Sequence, residues 1–234
     1  MIPACIFTYS GDALPLRECV RAVITSGLVP FVFDDQESPL PRHMIAWLKS
    51  QDAQYHVTDF PRNGNLNGTE CAMGIISCMI MAMHLSRERI AFKIDSDTLL
   101  IDALPFLAES TGVCATSENR FMPYGACYSL TRAAAMAVFH GLQGQNDALS
   151  PEDLTIWREV LRSNTAHTIH DFNPSGGAFS AVPEFFHPAE CLKFSVCTFG
   201  NQPRSIPNVT RAMQRVNNYL QTNPKPSKSI PCPI

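Results

Sequence analysis

The feature that most constrains this chain is an alternation. Short apolar runs closed by polar residues are separated by stretches with helical periodicity. ACIFTY (4–9) leads into Ser10, Gly11 and Asp12, and VPFVFDD (29–35) ends in Asp34 and Asp35. RIAFKID (89–95) leads into Ser96 and Asp97. Between the first two runs, Leu16, Cys19, Val20, Val23 and Ile24 recur at i, i+3, i+4, i+7 and i+8. Pro15 stands near the start and Gly27 at the stop, so the spacing predicts an amphipathic helix. PRHMIAWLKS (41–50) reads as a second helix and QYHVTDF (54–60) as a third strand. GVCATS (112–117) and YGACYSL (124–130) read as a fifth and a sixth strand. Strands alternating with helices predict an α/β three-layer sandwich with a mostly parallel central sheet. Such sheets bind ligands beyond the carboxyl ends of their strands. That edge is where Thr8 to Asp12, Asp34 with Asp35, and Asp95 to Asp97 fall.

Composition narrows the setting. The chain has 234 residues, 45% of them apolar and 17% charged, which is enough for a sizeable core. A formal net charge of −3, with basic residues dispersed along the chain, argues against nucleic-acid binding. The nine cysteines include no C-x-x-C pair and sit mostly in apolar runs. That pattern suits buried thiols in a reducing, cytoplasmic compartment. No basic leader precedes the first apolar run. AMGIISCMIMAMHL, the most membrane-like stretch, is 14 residues long, too short to span a bilayer. It belongs to a long helix expected to start near Asn67, where Asn67 and Glu70 resemble a capping box. Cys71, Ile75, Ile76, Met79, Ile80 and Met83 line one face of that helix, and its other face is also poor in charge. Packing on both sides is therefore expected. Peripheral attachment to a membrane stays open. Residues 223–234, rich in proline and serine, read as a tail.

The acidic pair Asp95 and Asp97 carries the chemistry. Carboxylates at the end of an apolar run are costly unless something stabilises them. If residues 95–97 stay extended, both side chains point the same way. Hard oxygens in that arrangement suit Mg²⁺ or Mn²⁺, with a diphosphate completing the shell. A solvated acidic loop is the plain alternative.

With its D-x-D after an apolar strand and about a hundred residues of alternating elements, the chain resembles the GT-A glycosyltransferases, which use nucleotide sugars. The resemblance covers about residues 2 to 195. IDSDTLLI looks like the D-x-D-T-L segment of glycogenin-like members, and His187 with Lys193 resembles their H-x5-K pattern. Phe194 departs from the Pro-Trp usual there. The resemblance implies a metal-dependent transfer of a sugar from a nucleotide diphosphate donor, UDP by class, to a glycan, lipid or protein acceptor. It implies one GT-A-like domain over 1–222, with a nucleotide-binding half (1–102) and an acceptor half (103–222). It implies Mn²⁺ or Mg²⁺ on Asp95, Asp97 and His187, and a diphosphate contact from Lys193. Thr8, Tyr9, Ser10, Asp34, Asp35 and Asp95 fall where the class holds base and ribose. The loop ending at Asn67 precedes a helix start suited to phosphate or sugar oxygens.

For the proton acceptor, the resemblance implies a Glu-Asp pair after the D-x-D if the transfer inverts. SPEDLTIW offers Glu152 and Asp153, with Asp153 preferred as base in that case, and inverting or retaining stays open. The same residues read equally as a helix start, with Ser150 as cap and Pro151 first. For Asp34 and Asp35 the alternative is turn chemistry. NPSGGAF (173–179) and Tyr124 are weaker candidates for the acceptor side. Rival activities are a haloacid-dehalogenase-type phosphatase, a sugar-nucleotidyltransferase, and a non-catalytic nucleotide-sugar-binding domain. The first should carry its acidic pair on the first strand, and the second should carry a Gly-rich basic loop after it. FTYSGDALP has neither.

Overall fold

A computed structural model describes residues 1–61, 68–108, 112–117, 123–145, 150–170, 188, 195–199 and 206–223. The order is β1 (Pro3–Thr8), α1 (Ala13–Thr25), β2 (Val29–Asp35), α2 (Arg42–Ser50), β3 (Gln54–Thr58), α3 (Gly68–Ser86) and β4 (Ile90–Asp95). Then come β5 (Thr98–Leu100), α4 (Leu104–Ala108), β6 (Val113–Ser117), β7 (Pro123–Thr131), α5 (Arg132–Leu142) and α6 (Glu152–Arg162). β8 (His167–His170), β9 (Val196–Thr198) and α7 (Ile206–Thr222) complete the described elements.

The main sheet has seven strands in the order β3-β2-β1-β4-β7-β6-β8. Every pairing is parallel except those of β7, which runs against both β4 and β6. The expected three-layer, mostly parallel sandwich is therefore the observed architecture, with one reversed strand. β5 and β9 form a separate two-stranded ribbon.

Strand alternation sorts the side chains into two cores. Ala4, Ile6, Val32, Phe92 and Ile94 face one way, into the core that includes Leu16, Val20, Val23, Met44, Leu48, Met213 and Val216 of the helices. Cys5, Phe7, Phe31, Phe33 and Ala91 face the other way, toward Ile75, Ile76, Met79, Met83, Val138 and Val160. On that second face Phe7 stacks on Phe33 at 5.3 Å between ring centroids, and Phe33 on His56 at 5.4 Å. Burial lowers the His56 pKa, so the ring is neutral in this apolar stack.

α3 explains its own odd composition. It is 19 residues long, longer than the 14-residue apolar stretch, and its length and composition would allow it to cross a membrane. It instead lies against the sheet with α5 and α6 on its other flank, and 56% of its apolar window is buried. Packing on two sides removes the need for a charged stripe. Gly74 in its middle takes the face of Phe60, where a Cβ would lie 2.3 Å from the ring. α1 ends as its sequence predicts, with Gly27 at φ 76°, a left-handed position that suits glycine. α1 is also tied to α7. Asn217 donates to the Glu18 carbonyl at 3.0 Å and to its carboxylate at 2.9 Å, all within buried surface.

Candidate active site

The register of the sheet brings the polar strand ends together. Thr8 pairs with Asp34 across β1 and β2, and Phe7 pairs with Asp95 across β1 and β4. The three strands thus end at one level. Beyond that edge lies a cleft of about 200 Å³ lined by Thr8, Tyr9, Asp12, Lys93, Asp95, Asp97 and Glu152, among others.

The acidic pair is arranged differently from an extended D-x-D. β4 ends at Asp95, and the chain turns at Ser96 and Asp97 before β5. The same-side pair at i and i+2 is Lys93 with Asp95, both on the α3 face. Asp97 reaches the cleft through the turn and is 8% exposed. The Ser96 hydroxyl donates to the Asp12 carboxylate at 2.6 Å, fastening this turn to the loop after β1. Behind it, the Cys19 thiol of α1 donates to the Asp95 carbonyl at 3.5 Å. Burial, and then the nearby Asp97 charge, pushes that thiol's pKa up, so it stays protonated.

Lys93 is buried, at 3% exposed, and its ammonium lies 2.5 Å from an Asp95 oxygen and 2.5 Å from the Gly125 carbonyl. Burial pulls its pKa down, but attraction from Asp95 and Glu152 outweighs this and raises it. Glu152 stands at the start of α6. Burial raises its pKa; Lys93 opposes that rise, and Asp153 and Asp95 add to it. Asp153 packs against the β7 backbone instead of lining the cleft: a Cβ on Gly125 would lie 2.7 Å from its side chain. Of the two acidic candidates at this helix start, Glu152 is the one that lines the cleft. The helix starts one residue later than its sequence suggests. Pro151 occupies the cap position, and the Ser150 hydroxyl accepts from Arg158 at 2.8 Å.

The candidates after β1 and β2 divide in the same way. Thr8 and Tyr9 line the cleft, whereas Ser10 braces the loop after β2 through its backbone and hydroxyl contacts with Ser38. Asp34 is fully buried. Its carboxylate accepts from the Asp35 and Leu40 backbone N–H groups at 3.0 and 2.9 Å and from the Tyr55 hydroxyl at 2.6 Å. These bonds build a turn and leave no open face for a ribose, which corrects the ligand reading of Asp34. Asp35 accepts from the Glu37 N–H at 2.9 Å and is partly exposed. Asn67, His187, Lys193 and residues 173–179 lie outside the described residues, as does the Tyr124 side chain.

Two site residues went unassigned in the sequence. Asp12 belongs to the polar end of the first strand, and its bond to Ser96 ties it to the turn after β4. Lys93 had a legible signal: a lysine inside an apolar strand, two residues before Asp95 and so on the same face.

Among the described residues, no group of three or more His, Cys, Asp or Glu side chains is placed to hold a metal ion. Asp95 and Asp97 both line the cleft, and carboxylate oxygens are the donor type that Mg²⁺ and Mn²⁺ take beside water and phosphate oxygens. A wider concavity of about 1030 Å³ lies at the opposite end of the sheet, lined by His84, Arg87, Arg89 and Arg132 among others.

No protein-family model matches the sequence, and no curated protein matches it either. Solved structures do. The galactosyltransferase LgtC, in complex with donor and acceptor sugar analogues, superposes with a TM-score of 0.55 at 11% identity, covering 91% of this chain and 95% of that one. The glycosyltransferase GlyE of Streptococcus pneumoniae TIGR4 gives 0.55 at 10% identity, covering 97% of this chain and 65% of that one. A glycosyltransferase involved in glycosylation of the major capsid of PBCV-1 gives 0.51 at 8% identity, covering 91% of this chain and 98% of that one. At such identities the likeness speaks for the fold, and the chain has the GT-A-type fold of these glycosyltransferases.

Proposed function

We propose that this protein is a glycosyltransferase that takes a sugar from a nucleotide diphosphate donor, UDP-sugar by preference, in a reaction dependent on Mn²⁺ or Mg²⁺. The observation that carries this reading is the single cleft at the carboxyl edge of a GT-A-type sheet. It gathers Thr8, Tyr9, Asp95, Asp97 and Glu152 from three separate chain segments.

In this reading Thr8 and Tyr9 face the base and ribose, and Asp95 and Asp97 hold the cation. The cation, when bound, neutralises the diphosphate as it leaves. Asp12 holds the Ser96–Asp97 turn in place through Ser96. Glu152 accepts the proton of the attacking hydroxyl, a task favoured by a carboxylate whose pKa is raised toward working pH. His187 and Lys193 remain proposed contacts to the cation and the diphosphate.

The test is a panel of nucleotide sugars followed by thermal shift and nucleotide release, each with and without Mn²⁺. One donor should raise the melting temperature only when metal is present, and release of its nucleotide should depend on an acceptor. Shifts with no donor under any condition would refute the assignment, and binding without turnover would reduce the protein to a binding domain.

A further inference from the structure

The proposed chemistry leaves Lys93 without a task. This lysine borders the cleft, but its side chain is only 3% exposed and its ammonium is held by Asp95 and the Gly125 carbonyl. An ammonium is kept in such a place only when it is paired. Its direct partners are the Asp95 carboxylate and the Gly125 carbonyl, and Glu152 and Asp153 also attract it. Asp95 itself is 41% exposed. Its carboxylate thus spans from a buried cation on one side to the open cleft on the other.

We propose that Lys93 is a positioning residue, the resident counter-ion of Asp95, and that it competes with the divalent cation for that carboxylate. A carboxylate already shared with an ammonium offers less charge to a metal, and the buried positive charge repels a second cation. This inference rests on the metal-dependent reading of the cleft.

The test uses the full chain without donor and measures Mn²⁺ affinity by calorimetry. Lys93→Gln retains a donor for the Gly125 carbonyl and removes the charge; Lys93→Arg retains the charge. Lys93→Gln should tighten Mn²⁺ binding by about tenfold or more, as removal of a unit charge a few ångströms away predicts. Lys93→Arg should bind like the unmodified chain. The melting temperature of Lys93→Gln should fall without Mn²⁺ and recover when Mn²⁺ saturates. Unchanged or weaker Mn²⁺ binding in Lys93→Gln, or an equal melting loss with and without metal, would overturn the proposal while leaving metal binding by the unmodified chain intact. Binding by Lys93→Gln alone would support it in its strongest form. Binding by neither chain would overturn both this inference and the metal-dependent function. Should Lys93→Gln fail to fold, lysine-selective ¹³C NMR of the unmodified chain decides. The Lys93 signal, identified by its loss in Lys93→Arg, should move on adding Mg²⁺, and an unmoved signal refutes the competition.

Discussion

Replacing Asp34 separates a structural carboxylate from a ligand contact. In the folded chain it accepts three hydrogen bonds, from Asp35 N–H, Leu40 N–H and the Tyr55 hydroxyl. Asp34→Ala removes both carboxylate oxygens and with them all three bonds. Leu40 is 4% exposed, so its N–H would be left without water as a partner. Tyr55 and Asp35 are partly exposed and regain some solvent. A bond to a charged acceptor is worth about 1.5–3 kcal/mol, and an abandoned buried donor costs about 1–3 kcal/mol. Counting the Leu40 bond in full and the partly exposed Tyr55 and Asp35 bonds at half weight gives a loss of about 3–6 kcal/mol. With a urea slope of about 3 kcal/mol/M, the midpoint should fall by about 1–2 M. Asp34→Asn, which keeps one acceptor oxygen, should lose roughly half as much. The assay is urea denaturation followed by circular dichroism, paired with nucleotide-sugar binding below the transition. A midpoint shift under about 0.3 M together with lost donor binding would refute the reasoning and return Asp34 to the ligand.

Other outcomes follow from the same geometry. Asp97→Ala should abolish metal-dependent donor stabilisation in a thermal-shift assay while the chain stays folded; retained metal dependence would remove Asp97 from the cation. Glu152 has a folded pKa above its ordinary 4.5, so its contribution to stability is full below that value and is lost as pH rises through the raised one. Glu152→Gln should therefore gain stability over the unmodified chain as pH climbs through that window, and a pH-independent difference in denaturation midpoint would contradict it. Asn217→Ala cuts both bonds between α7 and Glu18 and should cost about 1–3 kcal/mol in denaturation while leaving donor affinity unchanged.

Local pattern revealed the elements in which one periodicity dominates. β1, β2, β4 and α1 were legible because apolar runs and i, i+3, i+4 spacing mark them directly. α5 was not: RAAAMAVFHGL is rich in alanine and has no strong polar face to mark it. β5 and β9 are three residues each, too short to carry a period, and exist because they pair with each other. The reversed direction of β7 is likewise absent from its own residues, since YGACYSL reads the same either way along a sheet.

The site divides along the same line. The residues themselves place an acidic pair after an apolar strand and polar residues after two others, because a strand's composition is local. They also put Lys93 and Asp95 on one face, a consequence of the two-residue period alone. Only the tertiary structure decides which carboxylates meet the cleft. It buries Asp34 under its own turn and sets Asp153 against Gly125. It brings Glu152 into the same cleft as Asp95, and it gives Lys93 a carbonyl from a strand 32 residues away. Burial and partnership depend on chain segments distant in sequence, and those set whether a charge is structural, catalytic or a counter-ion.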